Sequence, residues 1–177
     1  MVSWKTGLLL LAVLAGLGVY AYRSRPQPAP AKQALMPCGL LDTLSLEIKS
    51  PDRTLLIDRP TPGDPWRVEQ PVSAPGDGNA IATLMGSVDS LKVLNTIPTP
   101  QPAAAYGLDK PREIVTCRVM EGSSFTLSIG NQSFDSSGYY AQKGGESRVY
   151  VISSVEVDSF DNALKEPPVK PSASPSP

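Results

Sequence analysis

The segment Thr6 to Tyr22 holds seventeen uncharged residues between Lys5 and Arg23, and no further run in the sequence is as long and apolar. At about 1.5 Å of rise per residue, a helix over it reaches roughly 26 Å, close to a hydrocarbon core of about 30 Å. Trp4, Tyr20 and Tyr22 fall at its two ends, where amphipathic rings favour the lipid–water boundary. Lys5 and Arg23 can snorkel across the remaining gap. The expectation is a signal-anchor, a single transmembrane helix that holds everything after it beside a membrane. A cleaved signal peptide is the competing reading, with Val19-Tyr20-Ala21 as its small-residue cleavage pattern. Tyr22, Arg23 and Arg25 directly behind that point make a poor cleavage context, so the retained anchor is preferred.

Charge divides along the chain. Residues 1–41 carry four basic and no acidic side chains, whereas residues 42–177 carry twelve basic and seventeen acidic ones. A basic collar beside an acidic domain suits a membrane with anionic lipids and argues against nucleic acid as a partner, although solubility alone is the plainer account. The positive-inside count, Lys5 against Arg23, Arg25 and Lys32, taken alone keeps the large domain in the cytoplasm.

Two cysteines do not make a disulfide framework. Cys117 lies in phase with Val115 and Val119 and reads as a small core hydrophobe, while Cys38 falls among prolines. A bond between them is open only in an oxidising compartment.

The expected organisation is a tail over 1–5, the anchor over 6–22, a Pro-rich linker over 23–40, one folded domain over 41–165 and a disordered Pro/Ser tail over 166–177. Pro26, Pro28, Pro30 and Pro37 bias the linker to extended conformations, a reach of roughly 50 Å at about 3.1 Å per residue. Inside the domain, Leu44, Leu46 and Ile48 alternate with polar residues, Ser50 to Arg53 turns the chain, and strands follow over Thr54 to Asp58 and Pro65 to Glu69. Asp77 is placed to cap a helix whose apolar face is Ile81, Leu84, Met85, Val88 and Leu91. The second half repeats this course. Strands at Val115 to Val119, Phe125 to Ile129, Tyr139 to Ala141 and Arg148 to Ile152 precede a helix capped by Ser153 or Ser154 and faced by Val157, Phe160 and Leu164. The predicted fold class is α+β, an antiparallel sheet with two packed helices in pseudo-duplicated meander-plus-helix halves, about 41–97 and 106–165, preceded by one transmembrane helix.

Several landmarks in order resemble the domain of unknown function 4340 family. WRVEQPVSAPGD, Trp66 to Asp77, is similar to its W-x-hydrophobic-x-x-P-V-x-A-P-x-D stretch, with Gly76 where small alanine-like residues are usual. Tyr106-Gly107-Leu108-Asp109-Lys110-Pro111 resembles its Y-G-L-D-x-P turn, and Ile129 to Ile152 its closing strands. The resemblance spans about Leu44 to Leu164. It implies an envelope protein with the domain on the extracytoplasmic side, against the charge count, and an accessory role beside ABC-type transport systems. It implies no catalytic residue.

Enzyme chemistry finds no foothold in the sequence. With no histidine, Ser-His and Cys-His pairs are excluded, and neither a phosphate loop nor a dinucleotide fingerprint occurs. Asp77-Gly78-Asn79 resembles part of a calcium loop but lacks its later ligands, so capping accounts for it better. No cofactor and no metal site is expected. Trp66, Tyr106, Tyr139, Tyr140 and Tyr150 are candidate partner-docking residues, although Trp66 also fits a core position and the tyrosines fit cross-strand pairing. The expected role is a non-enzymatic, membrane-anchored accessory or scaffold subunit, docking onto a membrane protein complex through sheet edges or a tyrosine-rich face. Ala12-x-x-x-Gly16 allows close helix approach within the span. The alternative is an envelope module that binds a small molecule or glycan.

Overall fold

The computed structural model describes residues 34–98 and 100–171. The expected anchor and its flanking residues Trp4, Lys5, Tyr20, Tyr22 and Arg23 lie outside them, as do residues 23–33 of the linker and 172–177 of the tail. Among the described residues no helix is long and apolar enough to cross a membrane.

Nine strands form one open antiparallel sheet: β1 Thr43–Lys49, β2 Thr54–Asp58, β3 Arg67–Gln70, β4 Ala74–Pro75, β5 Val93–Ile97, β6 Glu113–Val119, β7 Ser124–Gln132, β8 Gly138–Lys143 and β9 Val149–Ser153. Helix α1, Gly78–Asp89, follows β4, and helix α2, Ser154–Lys165, follows β9. The strand order is β4-β3-β2-β1-β6-β7-β8-β9-β5. From the antiparallel β1–β6 seam, one four-strand meander runs outward on each side, and a helix follows each. The helices touch, with the Ser87 and Ser159 hydroxyls 3.1 Å apart.

Alternation explains the sheet. Leu46 faces Cys117 across the seam and Ile48 faces Val115, while Val115 faces Leu127 and Ile129 faces Ala141. All of these are fully buried, so their rows make one apolar face. Against it lie Ile81, Leu84, Met85 and Val88 of α1 and Val157, Phe160 and Leu164 of α2. The caps arise from the residues the sequence points to. Asp77 accepts from the Asn79 and Ala80 amides, and Ser153 accepts from the Val155 amide.

Each meander is closed by a segment from the other. β5, reached through α1, pairs with β9. After α2 the chain returns to β4, where Val169 bridges Gly76, the Asp77 amide donates to Pro168 O at 2.9 Å, and the Lys170 amide donates to Pro75 O at 2.8 Å. Residues 166–171 therefore belong to the fold, in contrast to the disordered tail expected there, and Pro168 is buried. β5 itself was not expected, because Leu94, Asn95 and Thr96 at this edge are all exposed and leave no alternation to read.

The linker expectation fails in the same way over 34–40. Leu35, Met36 and Cys38 are buried, and Cys38 forms a disulfide with Cys117, Cα to Cα 6.3 Å. Cys117 is thus both a core residue and half of a staple, a pairing the sequence leaves open. Arg59 holds the same segment from the other side. Its guanidinium donates to the carbonyls of Leu40, Leu41 and Thr43, and lies 4.4 Å from the Trp66 ring centroid.

Candidate functional site

The β7–β8 hairpin is built to hold one side chain out in solvent. Phe134 at its tip is 98 % exposed. Asp135 fastens the loop behind it, accepting from the hydroxyls of Ser133 at 2.7 Å and Ser137 at 2.8 Å and from the Ser137 amide at 3.1 Å. Those bonds hold its carboxyl at a pKa of about 2, the Ser133 hydroxyl contributing most. Ser136 takes a left-handed φ of 57°, and the Gly138 amide donates to Ser133 Oγ. A phenyl ring on a loop tied this tightly gives up little conformational freedom on meeting a partner.

Two tyrosines brace the hairpin. The Phe134 amide donates to Tyr140 Oη at 3.4 Å, and the Tyr140 ring packs edge-on against Tyr106 with centroids 4.8 Å apart. Tyr106 sits in a short 3₁₀ turn, Ala103–Tyr106, ended by Gly107 at φ 70°. This turn presses on β7 at Gly130, where a Cβ would collide with Tyr106 O. A Cβ on Gly107 would stand 2.5 Å from Asn131 Oδ1. The Tyr-Gly-Leu-Asp stretch and the Ile-Gly-Asn stretch are thus two sides of one contact, which is why each carries a glycine. Leu94 of β5, 40 % exposed, comes within 3.4 Å of where a Cβ of Gly138 would be, so edge strand and hairpin share a surface.

On the helix-covered face lies a second cluster. Glu113, 1 % exposed, stands in phase with Val115 and Cys117 and opposite Ile129. Burial, then a hydrogen bond with Asp161 and repulsion from it, raise the Glu113 pKa to about 8. Glu113 therefore keeps its proton at neutral pH and can donate to Asp161. For Asp161 burial acts upward, but the Glu113 hydrogen bond and the Arg112 charge outweigh it and the pKa falls. Arg112 pairs with Asp161 at 2.7 Å and lies 4.6 Å from the Tyr139 ring centroid. A groove of about 460 Å³ opens beside these groups, bordered also by Asp52, Asn131 and Gln132. Among the described residues, no cluster of three or more His, Cys, Asp or Glu is placed to hold a metal ion.

The five aromatic candidates do not form one face. Tyr139 and Tyr140, adjacent on β8, point to opposite sides of the sheet. Tyr140 meets Tyr106, whereas Tyr139 meets Arg112. Tyr150, 8 % exposed, donates its hydroxyl to Glu146 at 2.5 Å, and Trp66, also 8 % exposed, is covered by Arg59. Tyr106 and Tyr140 support the protruding residue; Trp66 and Tyr150 are core. Sequence reasoning missed Phe134, whose only signal is an aromatic amid Ser and Asp in a turn. It also missed Glu113, a charge in phase with Val115, Cys117 and Val119.

Fold and surface together define an open-sheet α+β domain with two matching meanders, a braced aromatic knob and a carboxyl pair of which Glu113 is buried and Asp161 half-buried. A family model described as Domain of unknown function (DUF4340) matches residues 66–167, and the chain belongs to that family. The match begins at Trp66, so β1 and β2 lie outside it, although the resemblance read from the sequence began near Leu44. No curated protein and no solved structure gives a match.

Proposed function

We propose that this protein is a non-enzymatic, membrane-anchored docking subunit of a larger membrane complex, held by residues 6–22 with its domain on the extracytoplasmic side. The observation that carries the docking role is Phe134, fully presented on a loop that Asp135 and Tyr140 fix in place. Exposed aromatics on rigid supports are what hot spots are made of, because they fill an apolar pocket at small entropic cost. Leu94 extends the surface along the sheet edge. The Cys38–Cys117 bond supports the outer-face placement, since disulfides persist in oxidising compartments. An ABC-type transport system is the partner class the family resemblance points to. The matching halves fit an internal duplication that gave the domain two meanders of one plan.

The test is a pull-down of the full chain from native membranes in mild detergent. The wild type is expected to retain a stoichiometric membrane partner, and Phe134→Ala to lose it at unchanged melting temperature. Equal recovery with both forms would remove the docking role. The second reading, a small-molecule or glycan module, is favoured by the groove beside Arg112, Asn131 and Gln132. It expects a monomer whose melting temperature rises with ligand, indifferent to Phe134→Ala.

A further inference from the structure

Where the described chain begins, two loops meet in an apolar tip. Leu41 is 79 % exposed, Met120 52 % and Leu40 36 %. Thr43 is paired with Val119, and the Met120 amide donates to Asp42 O at 2.9 Å, so the loop before β1 and the turn after β6 lie side by side. The antiparallel order sets this tip at one end of the strands. The hairpins bearing Val72 and Phe134 close the other end.

The carbonyls of the loop before β1 are paired within the protein. Gly39 O accepts from the Asp42 and Thr43 amides and from Thr43 Oγ1. Leu40 O and Leu41 O accept from Arg59 Nη2 at 2.6 and 3.0 Å, Asp42 O from Met120, and Thr43 O from Arg59 Nε at 2.9 Å. Every carbonyl from Gly39 to Thr43 therefore has a donor without water. In a loop that stays in solvent this pairing has no necessity. At a membrane surface, where water is scarcer, the pairing favours approach, because an unpaired carbonyl would lose part of its hydration there.

We infer that the Leu40, Leu41 and Met120 tip rests in the lipid–water interface of the membrane. The inference rests on the anchored reading above. The apolar run ends at Tyr22, and the eleven residues 23–33 reach at most about 34 Å when extended at about 3.1 Å each, so the bilayer lies within range. The Cys38–Cys117 bond fixes Cys38 to β6 two residues before Val119, at the end of the strands that bears the tip. Asp42 and Glu121 flank the apolar residues and are exposed, which makes the contact apolar, with no attraction to anionic lipid. Weak insertion suffices, because an anchored domain needs only a second, shallow signal. The consequence is a fixed posture, with Phe134 presented away from the bilayer.

The test uses the full chain in phosphatidylcholine vesicles, with a nitroxide on Met120→Cys or, as reference, on Val72→Cys. At position 120 collisions with oxygen are expected to exceed those with a water-soluble nickel chelate severalfold, with the reverse at position 72. Adding Leu41→Glu to the Met120→Cys form is expected to restore nickel access. Equal, water-like accessibility at both positions in vesicle-bound protein overturns the inference and leaves the anchor standing. Shielding of position 120 from both reagents marks a protein contact and also overturns it. A chain that fails to float with the vesicles overturns the anchored reading itself.

Discussion

Glu113 keeps its proton because ionising it would place a charge between β6 and α2 beside Asp161. Its ordinary pKa is 4.5 and its folded value is about 8. Between those values the unfolded chain has released the proton and the folded chain has not, so stability falls as pH rises across that window and is level above it. At about 1.4 kcal/mol per pH unit the loss is on the order of 4 kcal/mol by pH 8. Glu113→Gln keeps a donor for Asp161 and cannot ionise. Denaturant titrations at pH 5 and pH 8 should show wild-type stability dropping by a few kcal/mol while the variant changes far less. A wild-type stability that rose over this interval would mean that Glu113 is ionised in the fold. Asp161 itself stays ionised over this interval, because its pKa is shifted the opposite way.

At the scale of elements, the N-terminal strap is the part that cysteine chemistry holds. The disulfide closes a separation of 79 residues, which in the chain-entropy account restricts the unfolded state by about 4 to 5 kcal/mol. Cys38→Ser with Cys117→Ser should lower the melting temperature by roughly 10 °C and make it indifferent to reductant. A double variant that melts with the wild type would mean the bond contributes nothing. The strap also shows where sequence reading stops. Helices α1 and α2 were legible because Ile81, Leu84, Met85 and Val88, and likewise Val157, Phe160 and Leu164, recur at helical spacing behind a capping residue. Strands β1, β2, β6 and β7 were legible by alternation. Residues 34–40 were not, because Pro37 and its neighbours carry the signature of a linker and only tertiary contacts with β6 and Arg59 overrule it. Strands were read on both sides of this hairpin, over Phe125 to Ile129 and Tyr139 to Ala141, but nothing local tells an exposed Phe134 from a buried one. Tyr139 and Tyr140 were grouped by adjacency, although strand geometry separates neighbours to opposite faces.

For the whole molecule, matching strand order invites the view that the two halves are small domains in series. The pairings argue otherwise. β5 comes from the first half and covers β9 of the second, and residues 168–170 come from the second half and cover β4 of the first. Neither half can complete its sheet alone, and the apolar rows run without interruption across the β1–β6 seam through Leu46, Ile48, Val115 and Cys117. A chain with a protease site inserted between Gln101 and Pro102, carrying Cys38→Ser and Cys117→Ser so that no covalent link remains, tests this directly. After cleavage the two pieces should co-elute as one particle and unfold in a single transition, with backbone and aromatic signals coincident. Each piece expressed alone should be insoluble or unfolded, because about half of its core face would stand exposed. Pieces that separate after cleavage, each with its own transition, would establish two autonomous domains and remove the reason for the reciprocal crossing of β5 and residues 168–170.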